Sequence, residues 1–433
     1  MRRRDAPAED SSAARKRPRR RAPHSGETQP LPGAAYWRKL APGLHVDDAE
    51  FQAKVKQFTL PASAVAAHKK RLVHDGFFTL APEDLPWVAS LPAMRVGVRR
   101  LMKRGWPASM LLVYDEVWAM AHQLSSLMAA VSGGCANSLD MLAWSITPSL
   151  GQAGFAPHRD RQPANVPGSF HDDGTPKYCT AWVALSTAST ENSCLYLVPR
   201  QNDPGYDEGD DQSPDAEDPL ISVLRSDAAV QAVRACPLPK GGVLIFSHRA
   251  MHWGSRGRED CDSARISVSF GHSDPSFEAP YFAQPQQHLP FPRPPARIAL
   301  AAAQLINYHE RFSFGCSLLR RLGATVRKRQ SIFSREYAEK TTAEFKAALD
   351  DRTEGHGREA AGSSDEDAAD AALDDALDAM LDAQTCGARG RSRPARRPRA
   401  LLAHPLRVPP AHSLTSLPGL RLARLQQRRG QPV

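Results

Sequence analysis

The stretch Phe155-Ala156-Pro157-His158-Arg159-Asp160 holds an imidazole and a carboxylate two positions apart. On extended backbone successive side chains point to opposite faces, so His158 and Asp160 share one side while Arg159 points away. These two groups suit iron(II), and a second histidine from a distant strand completes a 2-His-1-carboxylate face with positions left open for oxygen and a co-substrate. A His-x-Asp alone is more often a surface histidine beside a salt-bridging aspartate, so its meaning depends on the residues downstream.

The second histidine is expected at a strand end or turn well downstream, where Ser247-His248-Arg249-Ala250-Met251-His252-Trp253-Gly254 offers two. His252, which follows the apolar Met251 and leads into a glycine turn, is the preferred third ligand, with His248 as the fallback. Farther on, Arg265-Ile266-Ser267 puts a guanidinium and a hydroxyl on one side of a strand, with Ile266, Val268 and Phe270 on the other. An isolated strand arginine is ordinarily a surface ion pair. Shortly after a candidate ligand, the fork and hydroxyl read as a clamp for the far carboxylate of a 2-oxo acid.

The elements that must position these groups follow from periodicity. Phe51, Val55 and Phe58 recur at helical spacing within 47–73, and Pro61 opens a second helix there. Residues 77–80 read as a short strand, 114–130 as a helix whose His122 is a packing or surface residue, and 139–147 as a strand. Further strands are expected at 179–185, 194–198, 241–246 and 265–270, and helices at 299–309 and 335–349. Short strands separated by turns and preceded by helices point to an antiparallel double-sheet barrel, a jelly roll, with helices packed outside one face.

Composition places the folded part. The 433 residues include 36 prolines and 28 glycines, and 41% hydrophobic with 7% aromatic content fits a folded middle diluted by polar ends. The net charge of +9 arises in residues 1–40 and 386–433, while 350–382 is strongly acidic, which leaves the middle near neutral. Those basic ends carry almost no aromatics for base stacking, so they suit only nonspecific nucleic-acid or protein contacts. Basic clusters at 2–4 and 15–21 resemble a bipartite nuclear-import signal, and an unstructured basic arm is the equal alternative. Seven scattered cysteines without a Cys-x-x-Cys pair argue against a disulfide framework and favour an intracellular setting, cytoplasm or nucleus. No apolar run approaches the ~18 residues of a membrane span, so no membrane partner is expected. In 364–383, Leu373, Leu377, Met380 and Leu381 make a narrow apolar stripe on an otherwise acidic stretch.

The ordered set as a whole carries a resemblance. His158-x-Asp160, Thr180-Ala181-Trp182-Val183-Ala184-Leu185, Glu191-Asn192-Ser193-Cys194-Leu195-Tyr196-Leu197-Val198-Pro199, Gly242-Val243-Leu244-Ile245-Phe246, His252 and Arg265-x-Ser267 together resemble the phytanoyl-CoA dioxygenase family of iron(II)/2-oxoglutarate oxygenases. The likeness runs over about residues 60 to 285. It implies that His158, Asp160 and His252 bind Fe(II), that Arg265 and Ser267 bind the distal carboxylate of 2-oxoglutarate, and that Trp182 lines the co-substrate pocket. It implies hydroxylation of a small organic substrate by O2 with release of succinate and CO2. Related halogenases have a small residue where Asp160 stands here, which favours hydroxylation.

Two departures, Pro199-Arg200-Gln201-Asn202 in place of the family's Pro-Gly-Ser-His and an inserted Trp253, bear on substrate more than on metal. The acidic stretch 203–218 is a candidate rim that would repel a polyanionic CoA ester. The expected layout is mainly β with flanking helices: a disordered basic tail over 1–40, a jelly-roll oxygenase domain over 45–300, helices packed on the core over 301–350, and an acidic then arginine-rich disordered tail over 351–433. The alternatives are a cupin-like metal-binding protein without oxygenase activity and a nucleic-acid-associated scaffold acting through its arginine-rich tails.

Overall fold

A computed structural model describes residues 28–355, except 212, 214–216 and 313. The basic clusters near the N-terminus, the 364–383 stripe and the arginine-rich end lie outside the described residues. Eight strands, β1 (Phe77–Leu80), β2 (Ala136–Ile146), β3 (Tyr178–Ala184), β4 (Leu195–Leu197), β5 (Arg234–Cys236), β6 (Val243–Ser247), β7 (His252–Gly254) and β8 (Arg265–Ser273), form two antiparallel sheets. The larger has the order β1-β6-β3-β8-β2 and the smaller β5-β4-β7.

Strand alternation divides the large sheet into two functional faces. Cys179, Ala181 and Val183 of β3, Val243 and Ile245 of β6, and Ile266, Val268 and Phe270 of β8 belong to the main core, together with Leu72, Val98, Val117, Leu124, Leu300 and Leu322 from the helices. The intervening residues turn the other way. Trp182, Ala184, Leu244 and Phe246 pack against Leu195, Leu197 and Cys236 of the small sheet. The groups between the sheets are therefore held by strands whose opposite face is clamped under helices. Burying β3 along its whole length, between β6 and β8, fixes its register strongly, because a one-residue slip would exchange the two faces.

The expectation of a mainly β chain is overturned, since eleven α-helices outweigh these short strands among the described residues. The reason is coverage: a five-stranded sheet with one largely apolar face needs a helical layer of matching extent. Two of those helices, Leu91–Lys103 and Cys316–Lys328, escaped the periodicity reading. The first begins Leu91-Pro92, which reads as a breaker although proline is well tolerated in a first turn, with Ser90 capping Ala93. The second hides Leu319, Leu322 and Val326 among arginines and a glycine. Residues 47–73 resolve into Ala49–Ala53 and Ala62–Asp75, with Phe58 buried between them but outside either helix.

The tail boundaries also move. Ala34–Leu40 is a helix, with Leu31 and Trp37 in the core, and the Trp37 indole N–H donates to the Pro32 carbonyl at 2.9 Å. Trp37 lies 5.0 Å from Trp106, ring to ring, and this aromatic contact anchors a stretch whose charge pattern suggested disorder. The last helix continues to Gly355, past the expected end of the folded region at 350.

Candidate metal centre

His158 and His252 face each other as an isolated antiparallel bridge, each amide N–H donating to the other's carbonyl at 3.0 Å. Their rings lie 4.3 Å apart. Two residues on from His158, Asp160 returns to the same side, and one ligand-type atom from each of His158, Asp160 and His252 falls within 4.8 Å of the other two. Asp160 Oδ1 is 3.7 Å from His158 Nε2 and 3.5 Å from His252 Nε2. Hydrogen bonds fix which atoms converge. Both Nδ1 atoms are engaged by carbonyls, His158 with Ala156 at 2.8 Å and His252 with Ala250 at 3.0 Å. Asp160 Oδ2 accepts from the Thr180 hydroxyl at 2.6 Å. With the rings donating from Nδ1, two Nε2 lone pairs and one carboxylate oxygen are left aimed at a shared point, a donor set that fits a divalent transition metal. Burial, and then the His252 ring beside it, hold the His158 imidazole well below its usual value and so favour the neutral, ligating form.

Arg265 enters the same cavity from β8, a space of about 160 Å³ whose wall also includes Trp144, Phe155, Phe246, Tyr308 and Arg311. Its Nε donates to the Ser193 carbonyl at 3.0 Å, one terminal nitrogen to Ser267 Oγ at 3.0 Å, and its Cζ lies 5.3 Å from the Trp182 ring centre. No carboxylate among the described residues pairs with it, and burial lowers it only to about 10, so it stays charged at neutral pH. A buried cation with no protein counterion is costly unless an anion completes it.

His248, the fallback ligand, is not brought to the triad. Its Nδ1 meets the Tyr178 carbonyl at 3.0 Å, its ring packs beside Phe170 and Phe277, and burial pushes it down to about 3. His122 is half-buried against Phe291. Gly254 does not open a turn: it ends β7, where a Cβ would collide with the backbone of Gly154.

Sequence reading missed several groups. Thr180 could have been found, because it precedes Trp182 by two on β3 and so shares its face. Asp140 could not. It is aimed inward by a bulge in β2 at Leu139, whose φ is 75°, and accepts from Arg161 at 2.9 Å, Tyr178 at 2.9 Å, Gln304 at 2.9 Å and Tyr308 at 3.2 Å. Burial alone would raise its carboxyl, but Arg161 and these hydrogen bonds outweigh that and hold it low. The acidic stretch also differs from expectation. Asp203 and Asp210 turn inward onto Arg159, and Asp207 pairs with Arg200, so their charge is compensated rather than displayed to a substrate. The repulsion argument against a polyanionic substrate is correspondingly weakened.

Residues 114–261 match the family model described as phytanoyl-CoA dioxygenase (PhyH), a span that contains His158, Asp160 and His252 and stops just before Arg265. A mouse protein, phytanoyl-CoA dioxygenase domain-containing protein 1, is 27% identical over 114 residues, which is 26% of this chain and 39% of that relative. The chain thus matches about two fifths of the length of that curated relative. Among solved structures, the non-heme α-ketoglutarate-dependent epimerase SnoN from nogalamycin biosynthesis aligns at 20% identity over 49% of this chain and 82% of its own, with a TM-score of 0.36. HygX from Streptomyces hygroscopicus, with nickel and 2-oxoglutarate bound, aligns at 16% over 52% and 90%, with a TM-score of 0.32. The resemblance of this chain to the phytanoyl-CoA dioxygenase family therefore rests on its middle third, and the helices after Pro294 lie outside the matched span.

Proposed function

We propose that this chain is an iron(II)/2-oxoglutarate-dependent dioxygenase that hydroxylates a small organic substrate with release of succinate and CO2. One observation carries the reading: a His-Asp-His triad shares a cavity with a buried arginine that no carboxylate among the described residues pairs with. His158 and His252 would hold the metal through Nε2 and Asp160 through Oδ1, with Thr180 keeping the second carboxylate oxygen occupied. Bound iron(II) supplies oxygen activation coupled to decarboxylation of the 2-oxo acid. Arg265 and Ser267 hold the distal carboxylate of 2-oxoglutarate, and Trp182 stacks beneath the guanidinium so that the fork keeps its aim. The two antiparallel sheets are read as facing halves of a double-stranded β-helix, with the site between them.

The cavity is small against the 300–1,000 Å³ usual for ligand pockets. Once the co-substrate is seated, only the reacting end of the substrate fits inside, and its remainder lies against Trp144, Phe155 and Arg311 at the wall. Asp160 fills the position that a halide would need, so hydroxylation is preferred to halogenation. A cupin-like metal protein without oxygenase chemistry leaves the uncompensated Arg265 without a role. Anaerobic Fe(II) reconstitution followed by 2-oxoglutarate turnover to succinate tests the proposal. Wild type should form succinate in a metal-dependent way and Asp160→Ala should not; equal succinate from both would remove it.

A further inference from the structure

Arg159, the residue between two triad members, is a buried cation engaged by two carboxylates and a carbonyl. Its guanidinium makes a two-point contact with Asp203, at 2.6 and 2.8 Å, and a second one with Asp210, at 2.7 and 2.8 Å. It also donates to the Arg249 carbonyl at 2.5 Å. Arg249 in turn donates to the carbonyls of Gly205, at 2.6 Å, and Arg161, at 3.2 Å, and lies 3.8 Å from Asp210. All four charged side chains are almost fully enclosed. The arrangement joins two segments, because Arg159 sits between His158 and Asp160 while Arg249 immediately precedes Ala250, whose carbonyl orients His252.

We propose that Asp203 and Asp210 are positioning residues for the metal centre, acting through Arg159 and Arg249 to hold 158–160 and 249–252 at ligating separation. This rests on the proposed metal-binding role of the triad. Stability alone is a poor reason for such a network: a buried ion cluster often contributes no more than apolar residues of the same volume, whereas its directional contacts fix geometry. A separate observation shows how tightly the loop is fitted to the cluster. A Cβ placed on Gly205 would collide with both Asp210 Oδ1 and the Arg159 guanidinium, so a methyl there would have to displace the cluster.

Co(II) titration of the metal-free full-length protein, followed by visible absorption and calorimetry, tests the proposal. Asp210→Asn, Asp203→Asn and Gly205→Ala should each weaken Co(II) binding about tenfold or more, the size usual for partners of metal ligands. Far-UV circular dichroism should be retained. Asp115→Asn serves as the structural control, because Asp115 pairs with Arg297 in a buried contact elsewhere in the core. That variant should lower Tm and leave Co(II) affinity unchanged. If Asp203→Asn does not fold, Gly205→Ala, which removes no charge, carries the same comparison. Wild-type Co(II) affinity in folded Asp210→Asn and Gly205→Ala would overturn the proposal, as would equal weakening in Asp115→Asn. Absence of Co(II) binding in the wild type would instead remove the metal reading itself.

Discussion

Asp160 has two oxygens with two separate tasks, and Thr180 decides which is which. Its hydroxyl, 2.6 Å from Oδ2, leaves Oδ1 facing the histidines. Thr180→Val keeps the shape and removes the donor, so the carboxylate becomes free to rotate. Metal affinity should fall about tenfold, read by Co(II) titration, with little change in Tm; undiminished affinity would show that packing alone orients Asp160. At this scale much was legible. His158 with Asp160, and Arg265 with Ser267, stood out by residue type and the two-residue period, and His252 by a glycine turn that is in fact strand; the structure brings His158, Asp160, His252 and Arg265 to one cavity, with Ser267 bonded to Arg265. What could not be read was the partner of each, since Arg159 meets Asp203 and Asp210 across a long excursion of chain that no local pattern encodes.

The ligand-bearing elements approach each other more closely than side chains allow. A Cβ on Gly254 would lie 2.6 Å from the Gly154 Cα, and one on Gly154 would meet the backbone of Gly254 in the same way. The two glycines flank the His158–His252 bridge, so this contact sets how near the two segments can lie. Gly254→Ala should splay them, because backbone cannot yield as a flexible side chain can. The expected outcome is weaker metal binding and a lower Tm together; a variant matching the wild type in both would contradict the close approach. Element type was legible where one period dominated, as in β8, or where the strand looked buried throughout, as in β3. It was not where punctuation misled, as with Pro92 inside a helical first turn and Gly254 inside a strand. The bulge at Leu139 leaves no mark in a single sequence, yet it is what turns Asp140 into the site.

At the scale of the molecule, the helical layer and the sheet together bury imidazoles whose protonation burial opposes. His272 lies on β8 with Nδ1 on the Phe270 carbonyl at 3.1 Å and Nε2 enclosed, and burial lowers it from 6.5 to about 4. His248 is lowered likewise, to about 3. Both remain neutral in the folded chain over a range where free imidazole takes up a proton. Their contribution is therefore intact above about pH 6.5 and is lost progressively as pH falls towards 4, since the unfolded chain binds protons first. Tm should drop over that window, and less steeply in His272→Gln; identical slopes would exclude His272 as a cause. In the proposed function the triad and Arg265 make one composite site. Anaerobic calorimetry of 2-oxoglutarate, with and without Fe(II), checks this. Binding should require the metal, vanish in Asp160→Ala, and be lost in Arg265→Ala while that variant still binds metal. Metal-independent binding, or binding unchanged in Arg265→Ala, would contradict it.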